Sequence, residues 1–104
     1  MKSDPALTHT TLKVLRFLLE SQGKDVGGAD ITRQTGILSG VMYPILARLE
    51  RAQWLSSHWE TLSASELGRP RKRLYHFTSD GLLKARAAFA ELVRVQTMPI
   101  TQVP

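Results

Sequence analysis

The stretch Ser39-Gly40-Val41-Met42-Tyr43-Pro44-Ile45-Leu46-Ala47-Arg48-Leu49-Glu50-Arg51 decides the fold. Met42, Ile45, Leu46 and Leu49 fall at i, i+3, i+4 and i+7, the spacing that gathers side chains on one helical face, and Ser39 is placed to cap the helix. Val41, Pro44, Ala47, Arg48 and Arg51 point elsewhere on the same wheel, so the outer face is small near its start and cationic further along. Such a face can approach another surface closely. Pro44, beyond the first turn, removes a backbone donor and predicts local irregularity.

Upstream, residues 7–22 carry Leu12, Leu15, Leu18 and Leu19, widened by Val14 and Phe17, with no glycine or proline before Gly23. This predicts a helix with a broad buried face. Gly23-Lys24-Asp25 reads as a turn, and Val26 to Thr35 as a short second helix stopped by Gly36. Downstream, Leu55–Glu60 and Arg73–Phe77 alternate as short strands, with Tyr75 and Phe77 on the inner side. Trp54 and Trp59 are expected to pack inward. The polar segment Thr61–Pro70 is too long for a tight hairpin and predicts a protruding loop between the strands.

Thr78 is placed to cap a last helix reaching about Thr97, with Asp80 near its positive end. Leu82, Ala85, Phe89, Leu92 and Gln96 form one stripe, and Leu83, Ala87, Ala90 and Val93 a second. That is more apolar surface than one small domain covers, so a homodimer is expected through Leu82, Ala85, Phe89, Leu92 and Val93. Prolines 99 and 104 oppose continuation of the helix, and residues 98–104 are expected to fray.

At 104 residues the chain has room for one core, and 42% apolar with 22% charged residues is the balance of an ordered globular protein. There is no cysteine, no apolar N-terminal run and no segment long enough to span a bilayer, so a cytoplasmic protein with no membrane partner is expected. The sequence contains no glycine-rich phosphate loop, paired catalytic carboxylates or nucleophile with a base, and neither an enzyme nor a cofactor is expected. His9, His58 and His76 share no metal-like spacing and lie on different predicted elements, so no metal site is expected.

The formal charge of +5 favours a polyanionic partner, and its distribution is local. Arg69-Pro70-Arg71-Lys72-Arg73 places four cations in five positions with no acid among them. The order helix, helix, turn, helix, strand, basic loop, strand is that of a winged helix-turn-helix, whose third helix enters the DNA major groove while the hairpin reaches the flanking backbone or minor groove. The expected architecture is mostly α with a two-stranded β-wing and a C-terminal dimerisation helix. It divides into a tail at 1–6, a DNA-binding domain at 7–79, the dimerisation helix at 80–97 and a tail at 98–104. Double-stranded DNA is the expected partner, through Ser39, Gly40, Val41, Tyr43, Pro44 and Arg48 on the helix and Arg69, Arg71, Lys72 and Arg73 on the wing. A nonspecific architectural DNA binder and a winged-helix protein-interaction module are the alternatives.

Gly40-Val41-Met42-Tyr43-Pro44-Ile45-Leu46-Ala47-Arg48-Leu49-Glu50, then Trp54-Leu55, then Gly68-Arg69-Pro70-Arg71-Lys72-Arg73-Leu74-Tyr75-His76-Phe77-Thr78-Ser79-Asp80-Gly81 resembles the PadR family of transcriptional regulators, over roughly residues 7–97. The resemblance implies a dimeric winged helix, paired through the last helix, that represses a neighbouring operon until a small-molecule effector releases it. The chain departs from the family pattern at Gln53, where many relatives have glycine, and at Val41, where a threonine is common. Ending soon after its last helix, it resembles the short subclass. It has no tryptophan in that helix, where certain small relatives hold planar aromatic compounds.

Overall fold

The computed structural model describes residues 4–100. The elements run α1 (His9–Glu20), β1 (Val26–Gly27), α2 (Gly28–Thr35), α3 (Ser39–Arg51), β2 (Leu55–Trp59), α4 (Ala64–Leu67), β3 (Arg73–Phe77) and α5 (Ser79–Thr97). The fold is helix-rich with a small antiparallel sheet, in agreement with the architecture expected from the sequence. The sheet order is β1-β3-β2, with Leu55 opposite Phe77, Ser57 opposite Tyr75 and Val26 opposite Tyr75 from the other side. The third strand is a correction. Val26 and Gly27 pair with Tyr75 and Leu74 before the chain turns into α2, where a helix was expected from Val26 onward.

The core is built by the periodicities already described. Val14, Leu15 and Leu18 of α1, Ile31 of α2, Met42, Ile45, Leu46 and Leu49 of α3, and Trp54, Leu55, Tyr75 and Ala85 share one buried cluster. Gly36 ends α2 at φ 75°, a left-handed conformation that glycine adopts without a Cβ clash. Gln53 reaches φ 65° after α3, so the glycine common in the PadR pattern answers a backbone requirement that glutamine meets here at a cost.

Three further local expectations are corrected. Leu38, not Ser39, is the N-cap of α3: its carbonyl accepts from Val41 and Met42, and no side chain caps the helix. α3 also runs unbroken through Pro44. The loop between β2 and β3 contains α4, a single turn started by a reciprocal Ser63–Glu66 capping box and closed by Gly68 at φ 68°.

α5 begins as expected, with Thr78 Oγ1 accepting from Gly81 N–H at 2.9 Å and Asp80 in the first turn. Its first half docks on the body at very short range. A Cβ on Gly81 would lie 2.0 Å from the Trp54 carbonyl oxygen, and Ala85 is 0% exposed. Ala85 therefore packs inside its own chain and is removed from the expected dimer face, and Phe89 also leans on the core. Residues 91–100 are all exposed, and the Cα radius of gyration is 16.3 Å, against about 13 Å for a compact chain of ~100 residues. Asp4 is tied down: its Oδ1 accepts from Trp54 Nε1 at 3.2 Å and from Lys84 Nζ at 2.9 Å. Of the expected tails, residues 1–3 and 101–104 lie outside the described residues. Among the described residues no helix is long and apolar enough to cross a membrane.

Candidate nucleic-acid interface

The inward pull of Met42, Ile45, Leu46 and Leu49 turns the opposite face of α3 to solvent, where Ser39, Gly40, Val41, Tyr43, Pro44, Ala47, Arg48 and Arg51 are all exposed. Because no side chain caps α3, its first amides and the positive end of its dipole open on the same surface, a combination suited to phosphate. Tyr43 lies over α2: a Cβ on Gly28 would come within 2.6 Å of its ring and its hydroxyl oxygen. The glycine lets the phenol approach the α2 backbone closely while Tyr43 stays half exposed.

Two shallow cavities flank this tyrosine and join helix to wing. One, of about 370 Å³, is bounded by Tyr43, Ala47, Glu50, Arg51, Arg73 and Tyr75. The other, of about 380 Å³, lies between Gly28, Tyr43, Trp59, Arg71, Lys72 and Arg73. α3 and the basic segment thus face a common groove.

The four cations of that segment are not equivalent. Arg69 forms a two-pronged pair with Glu60, Nη1 to Oε1 at 2.7 Å and Nη2 to Oε2 at 3.0 Å. The Lys72 backbone N–H donates to the same Oε1 at 2.8 Å. The Arg69 guanidinium first, and then the Lys72 amide, hold the Glu60 carboxyl at about 2, below its ordinary 4.5. The pairing is therefore complete above pH 4.5 and is lost as pH falls toward 2. Arg73 is held too: its Nε donates to Ser57 Oγ at 2.9 Å, its Nη2 lies 3.9 Å from Glu50 Oε2, and its guanidinium sits 5.5 Å from the Trp59 ring centre. Among the described residues Arg71, Lys72, Arg48 and Arg51 make no ion pair.

Sequence reading grouped Arg69 to Arg73 as one acid-free patch and missed Glu60, nine positions before Arg69, because only the hairpin brings it across. Trp59 was expected inward and is 50% exposed; the sheet at that end extends past the core, leaving the indole to pack beneath Arg73. Arg51, on the exposed face of α3, belongs with the candidate site, and its helical spacing from Ala47 and Arg48 was the available signal. Elsewhere, His58 and His76, expected to stand apart, converge with Asp25 on the sheet.

No sequence-family model matches the chain, and no curated protein sequence does. Solved structures do. A PadR family transcription regulator from hypervirulent Clostridium difficile R20291 superposes with a TM-score of 0.72 at 20% identity, over 86% of this chain and 92% of that one. A transcriptional regulator homologue from Pyrococcus horikoshii OT3 gives 0.70 at 16% identity, over 84% and 79%. A mutant form of Lactococcus lactis ZitR gives 0.66 at 20% identity over 93% of this chain, which spans 60% of the ZitR length. The chain has the fold that PadR family transcription regulators share, in agreement with the resemblance carried by the motifs of α3 and the wing.

Proposed function

We propose that this protein is a PadR-type transcriptional regulator that binds double-stranded DNA as a homodimer and represses transcription from an inverted-repeat operator. The observation that carries the reading is the common groove, in which Tyr43 of the exposed, uncapped α3 lines one cavity with Arg51 of its own helix and another with the cations Arg71 and Lys72. α3 is the element for the major groove, with Val41, Pro44 and Arg48 meeting base edges or nearby phosphates. Arg71 and Lys72 reach the flanking backbone. Arg69, drawn onto Glu60, shapes the wing, and Arg73 joins wing to sheet. Leu92 and Val93, exposed on α5, supply the contact with a second copy; a symmetric dimer presents two α3 helices to half-sites about one helical turn apart. Repression follows if such an operator overlaps a promoter.

The test compares Arg71→Ala, Arg69→Ala and Arg48→Ala on the protein's own upstream DNA and on unrelated duplex. Arg71→Ala lowers affinity for both and reduces the logarithmic salt slope by about one, as expected for one lost phosphate contact. Arg69→Ala changes the slope less, because its charge is already matched by Glu60. Arg48→Ala reduces the preference for the specific site. An unchanged salt slope in Arg71→Ala, or equal binding of all duplexes by the wild type, overturns the reading.

A further inference from the structure

Asp25, His58 and His76 are far apart in the chain, and strand register brings them together. His76 on β3 stands opposite Ser56, and His58 on β2 opposite Leu74, so the two histidines are diagonal neighbours across the pair and share a face. Asp25 immediately precedes Val26, which pairs with Tyr75, and so comes level with His76 from the other edge of β3. Asp25 Oδ2 lies 3.3 Å from His58 Nε2 and Asp25 Oδ1 lies 3.3 Å from His76 Nδ1. One ligand atom from each residue falls within 4.8 Å of the others, and the imidazole rings are tilted by 55°, not stacked.

His76 Nδ1 is buried and makes no hydrogen bond among the described residues, although a carboxylate oxygen is 3.3 Å away. Buried ring nitrogens are normally satisfied, so this one points to a missing partner.

We propose that Asp25, His58 and His76 form a binding site for a divalent transition-metal ion that favours imidazole, zinc foremost. Zinc holds nitrogen and carboxylate ligands at about 2.0–2.2 Å, which places adjacent ligand atoms of a tetrahedron about 3.4 Å apart. Each imidazole already stands 3.3 Å from one oxygen of the Asp25 carboxylate, Oδ2 for His58 and Oδ1 for His76, so turning one oxygen inward and rotating the half-exposed His58 ring would bring the three ligand atoms to such spacings. Calcium and magnesium are disfavoured, because they take six or more ligands that are chiefly oxygen. Three protein ligands leave a fourth position for water or an added ligand. Asp25 and His76 also line a cavity of about 480 Å³ with Leu18, Phe77, Leu82 and Arg86. A bound ion would fasten β2 and β3, which carry the wing, to the segment joining α1 to α2, and so give the wing a metal-dependent anchor.

Titration of the intact protein with Co²⁺ tests the site. The wild type should bind one ion per chain with visible d–d absorption of low-coordinate cobalt, lost on adding Zn²⁺, and Zn²⁺ should raise its unfolding temperature. His58→Ala and Asp25→Asn should each weaken binding by at least about tenfold, and the His58→Ala/His76→Ala double variant should abolish both the absorption and the thermal shift. His9→Ala should match the wild type. His58 is exposed, so its variant reads the site even if His76→Ala destabilises the sheet. Absence of saturable Co²⁺ binding by the wild type, or binding that survives the double variant, overturns the proposal. Because each readout is made without DNA, failure here is distinguishable from failure of the DNA-binding reading.

Discussion

In the first half of α5, Gly81 and Ala85 are buried against the body, whereas from Glu91 onward every described residue is exposed, Leu92, Val93 and Val95 among them. The tightest contact is made by small residues, Gly81 and Ala85, and the outer half carries the exposed Leu92, Val93 and Val95. Intramolecular docking here depends on close backbone approach, Gly81 over the Trp54 carbonyl, while the outer half offers bulky side chains suited to a second surface. Apolarity alone does not distinguish these uses.

The comparison breaks most sharply at Gly81. Gly81→Val places side-chain atoms where the Trp54 backbone already lies, and an expected loss on the order of 3 kcal/mol or more should appear in urea denaturation. A loss below about 1 kcal/mol would mean that α5 does not dock this closely. Leu92→Glu with Val93→Glu should act in the opposite way, because both side chains are exposed in the single chain. Helical content should persist while sedimentation shows monomers and affinity for an inverted repeat falls about a hundredfold through lost bivalency. A wild type that sediments as a monomer, free and on DNA, removes the outer half's assigned role. The smallest expected effect sits at the joint that receives α5, where Thr78 Oγ1 donates to the Gln53 carbonyl at 2.6 Å. Gln53→Gly relieves the left-handed strain at φ 65° and should raise stability by about 1 kcal/mol, measured as a higher denaturation midpoint at constant slope.

What was legible in the sequence was local. The 3.6-residue spacing of Met42, Ile45, Leu46 and Leu49 gave α3 its buried face, Gly36 its neighbour's end, Thr78 the start of α5, and the alternation around Tyr75 the strand β3 with its bounds. α4 was locally encoded too, in Ser63, Glu66 and Gly68, but one polar turn has no apolar periodicity to announce it. The rest depended on distant parts of the chain meeting. Ala85 reads as one more apolar position until α5 is laid on the body, and Glu60 reads as an ordinary strand-end acid until Arg69 returns to it. The grouping of Asp25, His58 and His76 requires the register of three strands, which no spacing within one segment reveals.

The fork between Arg69 and Glu60 has a consequence for the thermodynamics of association. A mobile basic loop must surrender rotamer and backbone freedom when it meets DNA, at about 0.5–1.5 kcal/mol for each side chain immobilised. Here the carboxylate fastens the Arg69 guanidinium and the Lys72 amide in the unbound protein, so the turn presenting Arg71 is already shaped before any phosphate arrives. On the proposed DNA-binding reading, Glu60 contributes an acidic charge to the surface that meets a polyanion, and in exchange the ordering entropy of the wing is spent during folding, not during binding.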